Sequence, residues 1–357
     1  MRVDVHNETD SAERIYWHGQ GSALDAAAYV PARSMRRMEF TPTRPGLYFY
    51  HSHVIAAANL DAGLYSGQAG GLLVEHQNKP SHFDREWVVV LKECEPFIRR
   101  TRRGCEIGYR SFTLNGRMPG HGAPARINSG ERVLLHLLNA SATEPHSLAL
   151  PGHSFEVIAL DGNPVPSPTR VTTLQLSPAE RASAIVETPA VGMHAPAGMR
   201  APAEWIVRDP GTEGWDYTRF GIGSGAGRTG KPDAILDMVL TRHDAARSGF
   251  NSWSINGTSF SAAEPRPLFR LRCGLRYRLR IRNTSDEILP LHLQRHRLEI
   301  VKVAGTPTAG VIKDVVAVGP RQQVEVDFVA DNEGPALFYC TRQMHRDFGL
   351  MALIEYT

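Results

Sequence analysis

The 357-residue chain predicts an all-β protein of three stacked β-sandwich domains, the first of them incomplete. Three observations carry that expectation. Helical periodicity is scarce, while Val, Leu, Ile and Tyr alternate with polar residues in short runs bounded by Gly, Pro and Asn-Gly turns. Four sequence blocks recur in the same order at a period of about 140 residues. A partial third copy opens the chain.

The echoes place the strands in order. Phe112-Thr113-Leu114-Asn115-Gly116 returns as Trp253-Ser254-Ile255-Asn256-Gly257, and an Asn-Gly pair after such a run is a hairpin turn. Gly130-Glu131-Arg132-Val133-Leu134, running to Asn139-Ala140-Ser141, returns as Gly274-Leu275-Arg276-Tyr277-Arg278, running to Asn283-Thr284-Ser285. Phe155–Gly162 is echoed by Leu298–Gly305, and Leu176–Arg181 by Val318–Gln323. Two copies of one sandwich follow, over residues 81–190 and 248–357. Residues 1–80 carry part of a third: Val3–Thr9 matches the strand that ends in Asn, and Arg44–His51 matches Asn332–Tyr339. The Asn-Gly hairpin that precedes this strand in the other copies is missing, which leaves a sheet edge to be covered or paired. A homo-oligomer contact through residues 1–10, or a removed leader, is expected there. Residues 191–247 read as an interdomain region, dense in Gly, Pro, Ala and Met up to Asp233, with Trp205 and Trp215 packed beneath it.

Composition narrows the partners. A net charge of +3 with 22% charged residues of mixed sign points to no nucleic-acid or membrane-surface partner. No apolar run approaches the length of a membrane span, and Met1 opens directly into a strand-like pattern, so no secretory signal is visible. The run Arg99-Arg100-Thr101-Arg102-Arg103 reads as a solvated turn. Four cysteines are few for a disulfide scaffold. Cys94 and Cys105 flank the basic loop and are either a pair or two reduced thiols, and Cys273 is expected to pack in a strand.

Cys340 has a chemical context. It is followed five residues later by His345 and then by Gly349-Leu350-Met351, the spacing by which one loop brackets a copper ion with thiolate, imidazole and a weak axial side chain. Fifteen histidines are many for this length, and several are paired. His51 and His53, in Tyr50-His51-Ser52-His53, lie two apart on a strand and so point to one face. Two imidazoles buried side by side are costly unless they serve a purpose; metal ligation is the leading reading and a satisfied structural pair the other. His18, in Ile15-Tyr16-Trp17-His18-Gly19, ends an earlier strand and supplies a third. His292 lies in Leu289-Pro290-Leu291-His292-Leu293-Gln294-Arg295-His296.

Along its whole length the sequence resembles the multicopper oxidases. In that family the corresponding stretches read His-Trp-His-Gly, His-Ser-His, His-Pro-x-His-Leu-His-Gly-His and, around the cysteine, His-Cys-His. The resemblance implies three cupredoxin-like Greek-key sandwiches and copper as cofactor, with a small-molecule substrate and dioxygen as partners. It implies a periplasmic or secreted location, since family members usually work outside the cytoplasm. His18, His51 and His53 match ligands of the paired coppers and His292 a cluster ligand, so four of the family's eight cluster histidines are kept. Tyr16 stands where the single copper of the cluster has a histidine, Leu289 replaces the histidine of the blue copper, Gln294 another cluster ligand, and Tyr339 and Thr341 flank Cys340 in place of histidines. Cys340 and His345 remain of the blue-copper set. Tyr16 and Tyr339 line the expected cavity as ligand, proton donor or radical site. Asp25 matches the acid that relays protons in the family, and also reads as a turn aspartate. His146 and His153 read as structural, and Met193, His194 and Met199 as loop packing rather than a soft copper site.

Three functions follow from this set: a copper oxidoreductase with a reduced site, fewer than four ions and no blue-copper electron port; a metal-binding protein without redox turnover; or a mononuclear three-histidine hydrolase or lyase. The copper-loaded protein is expected to lack the intense absorption at about 600 nm of a blue copper, because Leu289 leaves that site two ligands. A strong band there in the purified protein contradicts this.

Overall fold

A computed structural model describes residues 1–19, 28–42, 44–75, 83–118, 121, 130–187, 206–209, 216–222, 230–247, 249–332 and 334–357. Asp25, Met193, His194, Met199, Trp205 and Trp215 lie outside the described residues. Strands dominate the rest, with one five-residue helix, Gln343–Asp347, and two 3-10 turns among the described residues.

The repeat seen in the sequence is a repeat of hydrogen bonds. Asn115 and Asn256 have φ of 51°, and Gly116 and Gly257 have φ of 75° and 79°. Two consecutive left-handed residues make the tight turn that matches strand twist. In each copy a buried asparagine ends a strand and bridges the two layers. Asn139 donates to the Leu176 carbonyl at 2.7 Å and accepts from the Ser141 amide at 3.0 Å, and Asn283 does the same with Val318 and Ser285. Asn7 repeats the device, donating to Val30 at 3.1 Å and accepting from the Thr9 amide at 3.0 Å. The partial first copy therefore keeps the link between its layers.

The second and third sandwiches share one twelve-stranded sheet, continuous through the parallel contact of Phe250 with Cys105. Three strands, Thr173–Leu176, His146–Ala149 and Ile206–Arg208, complete the second sandwich beside the first half of that sheet, and a five-stranded sheet completes the third beside the other half. The end of the stretch read as interdomain loop is the long strand Ala234–Arg247, paired in parallel with Arg276–Asn283 of the last sandwich. Cys94 sits opposite Ser111 and Cys105 opposite Arg100. The six strand positions from Cys94 to Arg100, at roughly 3.3 Å per residue, separate the two thiols by about 20 Å, too widely for a disulfide, and all four cysteines are free. Cys273, expected to pack, is exposed.

The first sandwich places its functional face with the antiparallel pair Glu13–His18 and Gly46–Ser52, in which Tyr16 lies opposite His51. The last does so with Leu289–Leu293 and Ala336–Cys340, in which His292 lies opposite Tyr339. A buried polar network holds these faces together. The Arg181 guanidinium, 1% exposed, donates to the Leu47 carbonyl of the first sandwich, to the Ala179 carbonyl of its own, and to Asp314 Oδ2 of the last at 2.8 Å. Asp161 accepts from the Asp314 and Val315 amides and pairs with Lys313 Nζ at 3.0 Å. Lys313 also meets Glu180, which accepts from the Tyr217 hydroxyl. Backbones approach closely here: a Cβ at Gly46, φ +134°, would lie 2.9 Å from Gly162 Cα.

Removing one partner of such a network leaves buried charges uncompensated. Arg181→Met is expected to cost about 3–5 kcal/mol of unfolding free energy, measured by chemical denaturation. A loss below about 1 kcal/mol contradicts a junction that rests on this residue.

Candidate metal centre

Four imidazoles and two phenols converge where the first and last sandwiches meet. His18 and His292 are fully buried, with ring centroids 4.2 Å apart. His51 lies 5.0 Å from His18, and His53 lies 5.7 Å from His51. Tyr16 is 4.9 Å from His18 and 5.6 Å from both His53 and His292. Tyr339, with no exposed surface, is 5.0 Å from His53 and 5.4 Å from His292. Strand alternation explains the convergence, since Tyr16 and His18, like His51 and His53, stand two apart and share a face.

The far nitrogens are anchored. His18 Nδ1 lies 3.2 Å from Asp314 Oδ2, His292 Nδ1 lies 2.8 Å from the Asp314 carbonyl and 3.1 Å from Oδ1, and His51 Nδ1 lies 2.6 Å from the Ser52 carbonyl. Carbonyls and carboxylates only accept, so these Nδ1 atoms carry protons and the Nε2 atoms present lone pairs. Such outer contacts fix the tautomer and ring orientation of a ligating histidine.

The near nitrogens lack a matching set of donors. His18 Nε2 and His51 Nε2 face each other at 3.0 Å. Burial pushes the His18 imidazole down to about 3 and holds His51 and His53 well below the usual range. Two neutral acceptors thus meet with no proton to share. His53 Nε2 is buried and has no hydrogen-bond partner. The Tyr16 hydroxyl lies 2.8 Å from His292 Nε2, and the Tyr339 hydroxyl 3.3 Å from His18 Nε2. The His18–His51 pair of lone pairs is set at a spacing that a small cation with nitrogen ligands accepts, whereas among the described residues no three of the four histidines bring their donor atoms within 4.8 Å of one another.

Charge agrees with that fit. Burial works against ionising Asp314, but His292 and the Arg181 guanidinium hold its carboxyl well below the usual range. Within the network the cations Arg181 and Lys313 meet the anions Asp161, Glu180 and Asp314, which leaves one negative charge over. Among the described residues, His18, His292 and Asp314 are also the one group of three ligand-bearing side chains whose donor atoms all lie within 4.8 Å of one another. Asp314 escaped the sequence reading. Its signal was the pair Lys313-Asp314 set inside the apolar run Val311-Ile312 and Val315-Val316-Ala317-Val318.

Cys340 and His345 form a separate site. Sγ lies 3.6 Å from His345 Nδ1, with Leu289 and Leu350 fully buried. Burial pushes the thiol up to about 12 and His345 down to about 4. His345 Nε2 lies 3.2 Å from Glu287 Oε2, off the hydrogen-bond axis, and Glu287 is held by Arg342 and Arg242. Among the described residues no third His, Cys, Asp or Glu joins this pair at ligand spacing. His296 stacks on Tyr356, and His153 bonds the Pro151 carbonyl.

The multicopper oxidase family signature matches residues 99–195 and again residues 233–357, together more than half of the chain. The chain belongs to the multicopper oxidase family. Its members are copper-dependent oxidoreductases, and that is the class of this enzyme. It is 26% identical to the multicopper oxidase MmcO of Mycobacterium tuberculosis, over 99% of this chain and 79% of that protein. It is 21% identical to the multicopper oxidase mco of Staphylococcus epidermidis, over 100% and 79%. Among solved structures, a multicopper oxidase from Pseudomonas thermotolerans superposes with a TM-score of 0.72 at 25% identity, covering 100% of this chain and 89% of that one. Fet3p, a multicopper oxidase that functions in iron import, gives 0.77 at 15% identity, covering 99% and 83%.

The neutral imidazoles of this multicopper oxidase set a pH dependence. With the His18 pKa at about 3 in the folded chain against 6.5 unfolded, the unfolded state holds the extra proton between those values. Stability of the metal-free protein therefore falls as pH drops from about 6.5 toward 3, by up to about 1.4 kcal/mol per pH unit for each such imidazole. His18→Gln is expected to flatten the slope in urea titrations across this window. An unchanged slope contradicts the neutral assignment.

Proposed function

We propose that this copper oxidoreductase works with a reduced centre: one or at most two ions held by the Nε2 atoms of His18, His51, His53 and His292, oxidising a small substrate with dioxygen. The observation that carries the reading is the buried meeting of two neutral acceptor nitrogens at 3.0 Å, with Asp314 anchoring His18 from its far side. Copper bound there supplies one-electron redox chemistry.

The chain's own residues would do the rest. Asp314 and the Ser52 carbonyl fix the tautomers of three imidazoles, so that each offers its inner nitrogen. Tyr16 holds His292 through its hydroxyl, which also accepts from the Arg295 amide. Tyr339 keeps its proton, because burial pushes its pKa well above the usual range. Its hydroxyl beside His18 can hand that proton inward. Full burial of the phenols and of His18 and His292 excludes bulk water. Without a histidine at position 289, Cys340 and His345 would not serve as an electron port, so the substrate must deliver its electrons at the histidine centre itself.

Tyr339→Phe tests the reading, since it removes one hydroxyl and keeps the ring. Copper content by metal analysis is expected to stay unchanged while dioxygen uptake with a small reducing substrate falls by at least about tenfold. Full activity in this variant refutes the role of Tyr339. Copper retained with no dioxygen uptake in the unmodified protein refutes the oxidase reading and leaves a metal-binding role without turnover.

A further inference from the structure

The strand Arg2–Asn7 pairs antiparallel with Ser34–Glu39 along its whole length, and among the described residues no other strand is hydrogen-bonded to it. The corresponding strands of the other two sandwiches have partners on both sides. Arg132–Asn139 lies between Arg181–Glu187 and Arg85–Thr101, and Arg276–Asn283 lies between Gln323–Val329 and Ala234–Arg247. In both, the second neighbour runs parallel and sets Leu91 or Leu240 opposite the terminal asparagine. Among the described residues Asn7 has no such neighbour. The backbone groups on that side are a template for another strand. Nothing blunts this edge, since its register is unbroken and it holds neither proline nor lysine.

Charge says which strand fits. Val3 and Val5 pack inward on the cluster of Trp17, Val30, Met38 and Phe40, while Arg2, Asp4 and His6 are exposed on the other face. Arg2 Nε donates to Glu39 at 2.7 Å, and Arg37 donates twice to Asp4, at 2.6 and 2.8 Å. A two-fold axis brings two like edges together antiparallel. With Val3 opposite the partner's Val3, Arg2 faces the partner's Asp4. A row of alternating sign then crosses four strands: Glu39, Arg2, the partner's Asp4 and the partner's Arg37. Its symmetry mate repeats it. Centring on Asp4 would set two carboxylates opposite each other, and centring on Val5 would rest on His6, which is charged only when protonated. We propose that this edge is a homodimer interface, in which two copies of the chain join their first sandwiches antiparallel in the register centred on Val3. Main-chain hydrogen bonds supply the attraction, and the charge rows fix the register.

Sedimentation velocity of the full chain from about 1 to 500 μM tests this. A species of about 79 kDa, twice the 39.4 kDa of the chain, is expected to grow with concentration. Arg2→Asp leaves both positions acidic and Asp4→Arg leaves both basic, so each variant alone is expected to dimerise at least about tenfold more weakly. An equimolar mixture of the two restores the opposite-charge contacts and is expected to dimerise within about threefold of the unmodified chain. Hydrogen exchange of residues 1–10 in the unmodified chain gives a readout without substitution, and is expected to slow at the higher concentration. A chain that stays monomeric throughout, single variants that dimerise unchanged, a mixture no better than its components, or equal exchange at both concentrations overturns the interface.

Discussion

One buried carboxylate, Asp314, ties the three sandwiches together. It sits 2.8 Å from the Arg181 guanidinium, touches His18 and His292, and has its own amide held by Asp161. The first sandwich contributes His18, the second Arg181 and Asp161, the third Asp314 itself. Buried ion pairs are weak arguments for stability, because desolvation offsets their attraction. Their use here is geometric: the contacts that dock the sandwiches also aim the imidazoles. Domain packing and site geometry are thus one constraint, and a shift of the first sandwich would separate His18 from His292.

Much of the fold was legible because its signals are local. Alternation, the Asn-Gly turns and the ordered echoes each lie within a few residues, and the strand-ending asparagines recur at Asn7, Asn139 and Asn283 with the same hydrogen bonds. The histidine face was legible for the same reason, since a spacing of two on a strand fixes a common side. Asp314 was not, because its partner His18 lies 296 residues away and no local pattern marks an aspartate that two domains share. Arg181 was hidden likewise: charged residues read as exposed unless something shows them to be buried. Cys94 and Cys105 were ambiguous until strand register set them apart.

The two copper-type motifs of the sequence have parted company in space and in chemistry. Cys340 and His345 are enclosed by leucines and a Glu287–Arg342–Arg242 cluster, with a thiol that burial keeps protonated. Of the four histidines, His51 turns its inner nitrogen to that of His18, and the inner nitrogen of His53 has no hydrogen-bond partner. Tyr16 sets its hydroxyl on the inner nitrogen of His292 and Tyr339 its own on that of His18.

The most direct measurement is anomalous diffraction at the copper absorption edge from crystals grown with copper. The account predicts an anomalous peak among the Nε2 atoms of His18, His51, His53 and His292, with little or none beside Cys340. A peak between Cys340 and His345 with an empty histidine cluster would contradict it.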